Sequence, residues 1–466
     1  MTKNKENIGY VAFLSVVAAL GGFLFGYDTA VISGTISMVT AQFSLTEIQT
    51  GWYVGCALVG SILGVSMAGV ISDHLGRKLT LILAAILFSV SAIGCALSDN
   101  FTILVLYRIV GGIGIGVVSI ISPLYISEVS IPRYRGALVS LYQLAITVGF
   151  LGAYLVNYQL LGLAVTHVTL GGELGTKILI TEVWRGMLGA EALPALIFFS
   201  IIFLIPESPR WLVMRNKEQK AKSTLMRIFQ TESVVDGQIA DIQSLTSKGE
   251  QSDWSIALKP GFFKAIMIGV AIAILGQFMG VNAVLYYGPT IFESSGLSSG
   301  DSLFYQVLVG LVNTITTVIA LLIIDKVGRK KLVYWGVSGM IVALLAIGIY
   351  FMMDSQWPSV LLLVFFLFYI FCCAISICAV IWVLLSEMYP TRIRGLAMSI
   401  AGFSLWIGTF LIGQLTPWML TNLSPAGTFF LFAVMCLPYM WIIWKKVPET
   451  AGQSLEEIER MWMKEK

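Results

Sequence analysis

Apolar residues run through this chain in twelve long stretches separated by polar breaks, each near the about 20 residues that carry a helix across a bilayer. They cover residues 10–33, 49–71, 79–97, 102–126, 137–160 and 184–205, then 265–292, 303–324, 332–353, 359–385, 396–420 and 429–444. The pattern predicts an all-α polytopic membrane protein with twelve transmembrane helices. One long polar interruption, from Pro206 to about Lys264, holds most of the water-soluble helical character (Glu218 to Gln230) and reads as a linker. The loops on the other side are short except 161–183, a mostly polar, glycine-rich segment expected to cap the outer mouth.

The polar breaks occur twice. Asp73-His74-Leu75-Gly76-Arg77-Lys78 returns as Asp325-Lys326-Val327-Gly328-Arg329-Lys330. Ser127-Glu128 with Arg135-Gly136 returns as Ser386-Glu387 with Arg394-Gly395, and Pro206-Glu207-Ser208 as Pro448-Glu449-Thr450. Three matched pairs in one order mean two similar halves joined end to end, the organisation of parallel-repeat transporters. The expected domains are a six-helix bundle over 1–205, a linker with short helices over 206–263, a second six-helix bundle over 264–446 and a tail over 447–466.

Composition agrees: 57% of residues are hydrophobic and 12% charged, too few charges to wet a globular surface. The net charge of +3 gives no reason to expect a nucleic-acid partner. Of 29 Lys and Arg, only Lys177 and Arg185 fall in or beside loops on the far side and Arg108 lies inside a span; the other 26 share one side. The positive-inside rule therefore puts both termini and the linker in the cytoplasm. The six cysteines sit in apolar stretches without metal-ligand spacing and read as packing residues, so neither metal nor cofactor is expected.

The repeated charges Asp73, Arg77, Glu128 and Arg135, with Asp325, Arg329, Glu387 and Arg394, lie at the cytoplasmic ends of neighbouring spans. They can form ion-pair latches holding the halves together when the inside is shut, or can simply cap helix ends and set topology. Charges within spans are rarer, and costly enough to be paired and functional. Asp28, Arg108 and Glu191 are the three, all in the first half. An Asp that alternately pairs with Arg108 and takes a proton would couple proton entry to a conformational change; a permanent structural salt bridge is the other reading. The second half carries amides and aromatics instead: Gln277, Asn282 and Tyr286 on a glycine-interrupted seventh span, Asn313 on the eighth, Trp382 on the tenth and Trp406 on the eleventh. Amides donate and accept, and indole faces suit the apolar face of a sugar ring, so the set fits a neutral polyol. Singly, each is equally a helix-packing residue.

These motifs, with Gly21-Gly22-Phe23-Leu24-Phe25-Gly26-Tyr27-Asp28, Tyr107-Arg108, Pro206 to Leu212 and Gln277-Phe278-Met279-Gly280-Val281-Asn282, span both halves. The whole chain resembles the sugar porter family of the major facilitator superfamily, most closely its bacterial proton-coupled xylose transporters, and is also similar to facilitative glucose transporters. The resemblance implies two six-helix bundles in the inner (plasma) membrane, acting as a monomer with monosaccharide and proton as partners. It implies sugar contacts at Phe25, Gln143, Gln277, Asn282, Asn313, Trp382 and Trp406, with Tyr286 on the external gate. It also implies a proton on Asp28, with Arg108 as partner and Glu191 as relay.

The chain departs from the xylose-type pattern at Phe150, Gly276 and Leu405, where polar groups are usual, and at Cys378-Ala379 in place of Gly-Pro. Each lost hydrogen bond is worth about 0.5–1.5 kcal/mol, which leaves the sugar open between a pentose and a hexose. Without its proline the tenth helix is expected to be stiffer. The expected function is import of a monosaccharide by proton symport with alternating access. A proton-independent uniporter is the main alternative, then a transporter-like sensor; an enzyme is disfavoured because no HExxH or GxSxG pattern occurs and the only histidines, His74 and His167, are in loops.

Overall fold

The computed structural model describes residues 6–166, 172–247, 258–353, 357–389 and 393–447, and every regular element among them is helical. Twelve helical segments are long and apolar enough to cross a membrane: Ile8–Gly34, Glu47–Leu75, Arg77–Leu97, Phe101–Val129, Pro132–Val165 and Val183–Leu204 (spans 1 to 6), then Pro260–Ser294, Ser299–Ile324, Arg329–Met352, Ser359–Leu385, Arg394–Asn422 and Ser424–Lys446 (spans 7 to 12). Most outrun their apolar stretches, because a helix continues its hydrogen-bond ladder into the polar interface once the hydrocarbon ends. Expectations that rest on His167, on Pro448 to Thr450 or on the tail beyond Val447 lie outside the described residues.

The repeat is visible in the backbone. A single glycine joins span 2 to span 3, and another follows the end of the span 8 helix at Val327. Gly76 has φ 97° and ψ 164°; Gly328 has φ 94° and ψ 151°. Only glycine adopts this region without strain, which is why both turns keep it.

Three spans are interrupted. Span 7 breaks after Phe278 at Gly280, φ 91°, and restarts at Val281. Span 6 breaks between Gly189 and Ala192, which puts Glu191 at the start of a new helix. Span 10 contains a π-turn over Ala374–Cys378, with the Cys373 and Cys378 sulfurs 3.6 Å apart across it. The missing proline thus does not leave span 10 an uninterrupted α-helix. An extra residue in the turn interrupts the α-ladder in its place.

Packing divides the chain into two compact units, at boundaries other than the sequence repeat. One unit is Met1–Thr29, Val59–Ala153 and Arg185–Gln251; the other is Ala30–Leu58, Tyr154–Trp184 and Ser252–Lys466. In the first, spans 1 and 5 touch backbone to backbone: a Cβ on Gly26 would overlap the Ile146 carbonyl, and one on Gly149 the Phe23 carbonyl. The linker contributes helices Pro209–Met214, Glu218–Phe229 and Glu232–Ser247. In the second unit, the far ends of spans 1, 2 and 5 pack on the C-terminal spans. Tyr154 Oη donates to the Leu285 carbonyl at 2.8 Å, Ser37 Oγ to Glu293 at 2.7 Å and Gln414 Nε2 to the Ile48 carbonyl at 2.9 Å. A short helix, Ile36–Phe43, follows span 1 there and ends at left-handed Ser44. Sequence reading had no signal for it, since eight residues of mixed polarity carry no clear period.

Candidate functional site

The repeated charges cluster within each half. Arg77, whose side chain is 6% exposed, donates from Nε and Nη2 to the two Glu128 oxygens at 3.1 Å each, and from Nη1 to Asp73 and the Ser72 carbonyl at 3.1 Å. This fork ties the start of span 3 to the end of span 4. Glu207 closes the other side of the turn. Its carboxylate accepts from the backbone N–H of Arg77 at 2.9 Å, of Lys78 at 3.2 Å and of Ser208 at 2.8 Å, an anion seated on the N-terminus of span 3. Burial pushes the Glu207 carboxyl above its usual range, against the pull of those N–H donors and of Arg77. Trp211 Nε1 and Arg215 Nη2 both donate to the Asp73 carbonyl, at 2.9 and 2.7 Å.

The second half reproduces the fork: Arg329 Nε and Nη2 donate to the Glu387 oxygens at 3.1 and 2.9 Å, and Nη1 to the Ile324 carbonyl at 3.3 Å. Lys78 Nζ donates to the Phe203 carbonyl at 2.8 Å and Lys330 Nζ to the Val447 carbonyl at 2.8 Å, so each lysine caps the last helix of its own half. Arg394 donates to the Tyr389 carbonyl at 3.4 Å, Arg135 is exposed, and the Asp325 side chain lies outside the described residues. The expectation had these charges latching one half to the other when the inside is shut; in this conformation the described forks run inside each half, each joining the start of the span that bears the arginine to the end of the next span.

Within the first unit, Arg108 of span 4 pairs with Asp28 of span 1, the residues being 2% and 0% exposed. Arg108 Nη1 also reaches the Asp28 carbonyl at 3.4 Å. A side chain at Gly111 would collide with the Ser91 hydroxyl and with Asp28 Oδ2, so the glycine makes room for the carboxylate. Among the described residues Asp28 Oδ2 itself has no hydrogen-bond partner, nor has Oε1 of Glu191, which is 2% exposed and near enough for the charges of Asp28 and Arg108 to act on it. Two carboxylates and one guanidinium thus share a sealed apolar environment, where one proton changes the balance of charge. Phe25 and Gln143 of the same unit are half-buried.

In the second unit the amides gather around the span 7 break. Asn282 Nδ2 donates to Gln277 Oε1 at 2.6 Å, and Thr409 Oγ1 of span 11 to the same oxygen at 3.1 Å. Gln277 Nε2, Asn282 Oδ1 and the whole Asn313 amide make no hydrogen bond among the described residues, although Gln277 and Asn313 are each only 7% exposed. Unpaired amides at that depth are costly unless something polar arrives, so they are the groups free to meet a hydroxyl-rich ligand. Trp406 and Tyr286 are buried, whereas Trp382 is 40% exposed and rests against Gly402.

The family model for "Sugar (and other) transporter" matches residues 14–462. The chain belongs to that family. Its relatives include the arabinose-proton symporter of Bacillus subtilis, 37% identical over 98% of this chain and 96% of that one, and the D-xylose-proton symporter of Escherichia coli K12, 35% identical over the same shares. The inward open conformation of the E. coli xylose transporter XylE has the same fold, with a TM-score of 0.83 and 34% identity over 97% of this chain and 100% of that one. Within this sugar transporter the sequence reading missed three contributors: Glu207, Trp211 and Thr409. Glu207 and Trp211 are visible in the sequence only as parts of the Pro206 to Leu212 motif, and the place of Glu207 after a span and before a Ser-Pro helix start is the available signal for its role. Nothing in the sequence singled out Thr409 among the other span threonines.

Proposed function

We propose that this chain imports a monosaccharide, a pentose or a hexose, by proton symport with alternating access, as a single chain with both termini in the cytoplasm. The observation that carries it is the Asp28–Arg108 pair, shut away from water beside Glu191. While ionised, Asp28 offsets Arg108; a proton on Asp28 leaves the guanidinium unbalanced in an apolar interior, at several kcal/mol, so protonation favours a rearrangement of spans 1 and 4. Glu191 is the nearby group to pass the proton on. The unpaired amides of Gln277, Asn282 and Asn313 support a sugar rather than a charged ligand, since nothing in that cluster offsets a charge. The action is transport, not catalysis, and needs no cofactor.

The test is uptake of labelled pentoses and hexoses into proteoliposomes with and without an inward proton gradient. Accumulation above equilibrium only with the gradient supports symport. Failure to accumulate any sugar with it, alongside equilibration without it, establishes a uniporter instead.

A further inference from the structure

Spans 7 and 12 pack side by side, and a groove of about 430 Å³ opens where the start of one meets the end of the other. Phe263 and Met267 of span 7 and Trp441 and Ile442 of span 12 wall it, and Lys264 and Lys446 stand at one end. Both lysines belong to the ends of the bundle that the positive-inside reading puts in the cytoplasm, so the inference rests on that orientation.

We propose that this groove holds one phospholipid with an anionic headgroup, its phosphate against the lysines and an acyl chain along the apolar wall. Three observations favour it over a generic basic rim. First, Lys446 makes no hydrogen bond or ion pair among the described residues, while Lys330 already caps the last carbonyls of span 12. The Trp441 ring, 6.0 Å from the Lys446 ammonium, is its one recorded companion and is itself part of the wall. Second, span 7 starts with no side-chain cap on its N-terminal N–H groups, so the positive end of the helix dipole adds to the lysines. Third, the other half is an internal control. At the 242-residue offset relating Pro206 to Pro448, position 446 corresponds to Leu204, exposed and apolar. The basic lip is a feature of one half only, whereas the helix-capping lysines Lys78 and Lys330 occur in both. Basic pockets between spans at the cytoplasmic side favour anionic headgroups, and each lysine near the surface strengthens such binding several-fold.

Native mass spectrometry of the delipidated full chain, titrated with phosphatidylglycerol or phosphatidylcholine, tests this without reference to transport or sidedness. The expected result is one phosphatidylglycerol retained per chain at least tenfold more tightly than phosphatidylcholine, with the preference lost in Lys264→Gln/Lys446→Gln. The control Lys217→Gln/Lys445→Gln, which removes the same charge outside the groove, keeps it. Equal retention of both lipids, or equal loss in both double variants, overturns the proposal. Proton-driven uptake by the Lys264→Gln/Lys446→Gln protein is a separate readout, so a failed lipid site and a failed transport reading give different patterns.

Discussion

Removing the Glu207 carboxylate tests whether the loop after span 6 holds the turn between spans 2 and 3. In Glu207→Ala three backbone N–H groups, of Arg77, Lys78 and Ser208, lose an acceptor now 2.8–3.2 Å away. Hydrogen bonds to a charged group are worth about 1.5–3 kcal/mol each, but the site is partly exposed, the bonds share one carboxylate and water can replace some of them. A loss of about 2–4 kcal/mol follows, read as a fall of about 2–4 °C in the apparent melting temperature of the detergent-solubilised protein. Glu207→Gln separates packing from ionisation. Burial holds the folded carboxyl above the unfolded glutamate value of about 4.3. Its contribution is therefore full below that value and declines as pH rises through the folded one. The gap between wild type and Glu207→Gln should accordingly narrow from pH 4 to pH 7, with Glu207→Ala low throughout. An alanine variant melting within 1 °C of wild type would refute the clamp, and a gap that widens with pH would refute the ionisation argument.

Gly76→Ala meets both a forbidden φ and the Glu207 oxygen, so it should lower the melting temperature more than Ala substitution at an open glycine such as Gly69, and comparative melts decide it. Asp28→Asn should abolish proton-driven accumulation while leaving exchange of labelled for unlabelled sugar; full accumulation by this variant would remove Asp28 from coupling. Gln277→Ala and Asn313→Ala should each raise the KM for sugar by about 2- to 10-fold, one hydrogen bond's worth, with proton coupling intact; unchanged KM in both would move the sugar elsewhere.

The twelve spans were readable in advance because twenty apolar residues have one stable state in a bilayer, and the paired Gly76 and Gly328 turns because only glycine fits there. Partner choice was less readable. The residues of the Arg77 and Arg329 forks were found by repetition, but their partners within each half were not, since spacing along the chain does not say which of several carboxylates folding brings to an arginine. The span 10 π-turn was missed for a different reason: losing proline removes one way to interrupt a helix, and a wide turn that supplies another leaves no composition signature. Helix Ile36–Phe43 and Thr409 exist as features through tertiary packing alone.

Proton movement itself is the most direct test. Sugar added to de-energised, lightly buffered proteoliposomes should make the external medium alkaline as protons enter with it, and the signal should vanish in Asp28→Asn. Labelled sugar entering the wild-type vesicles with no change at the pH electrode would contradict symport.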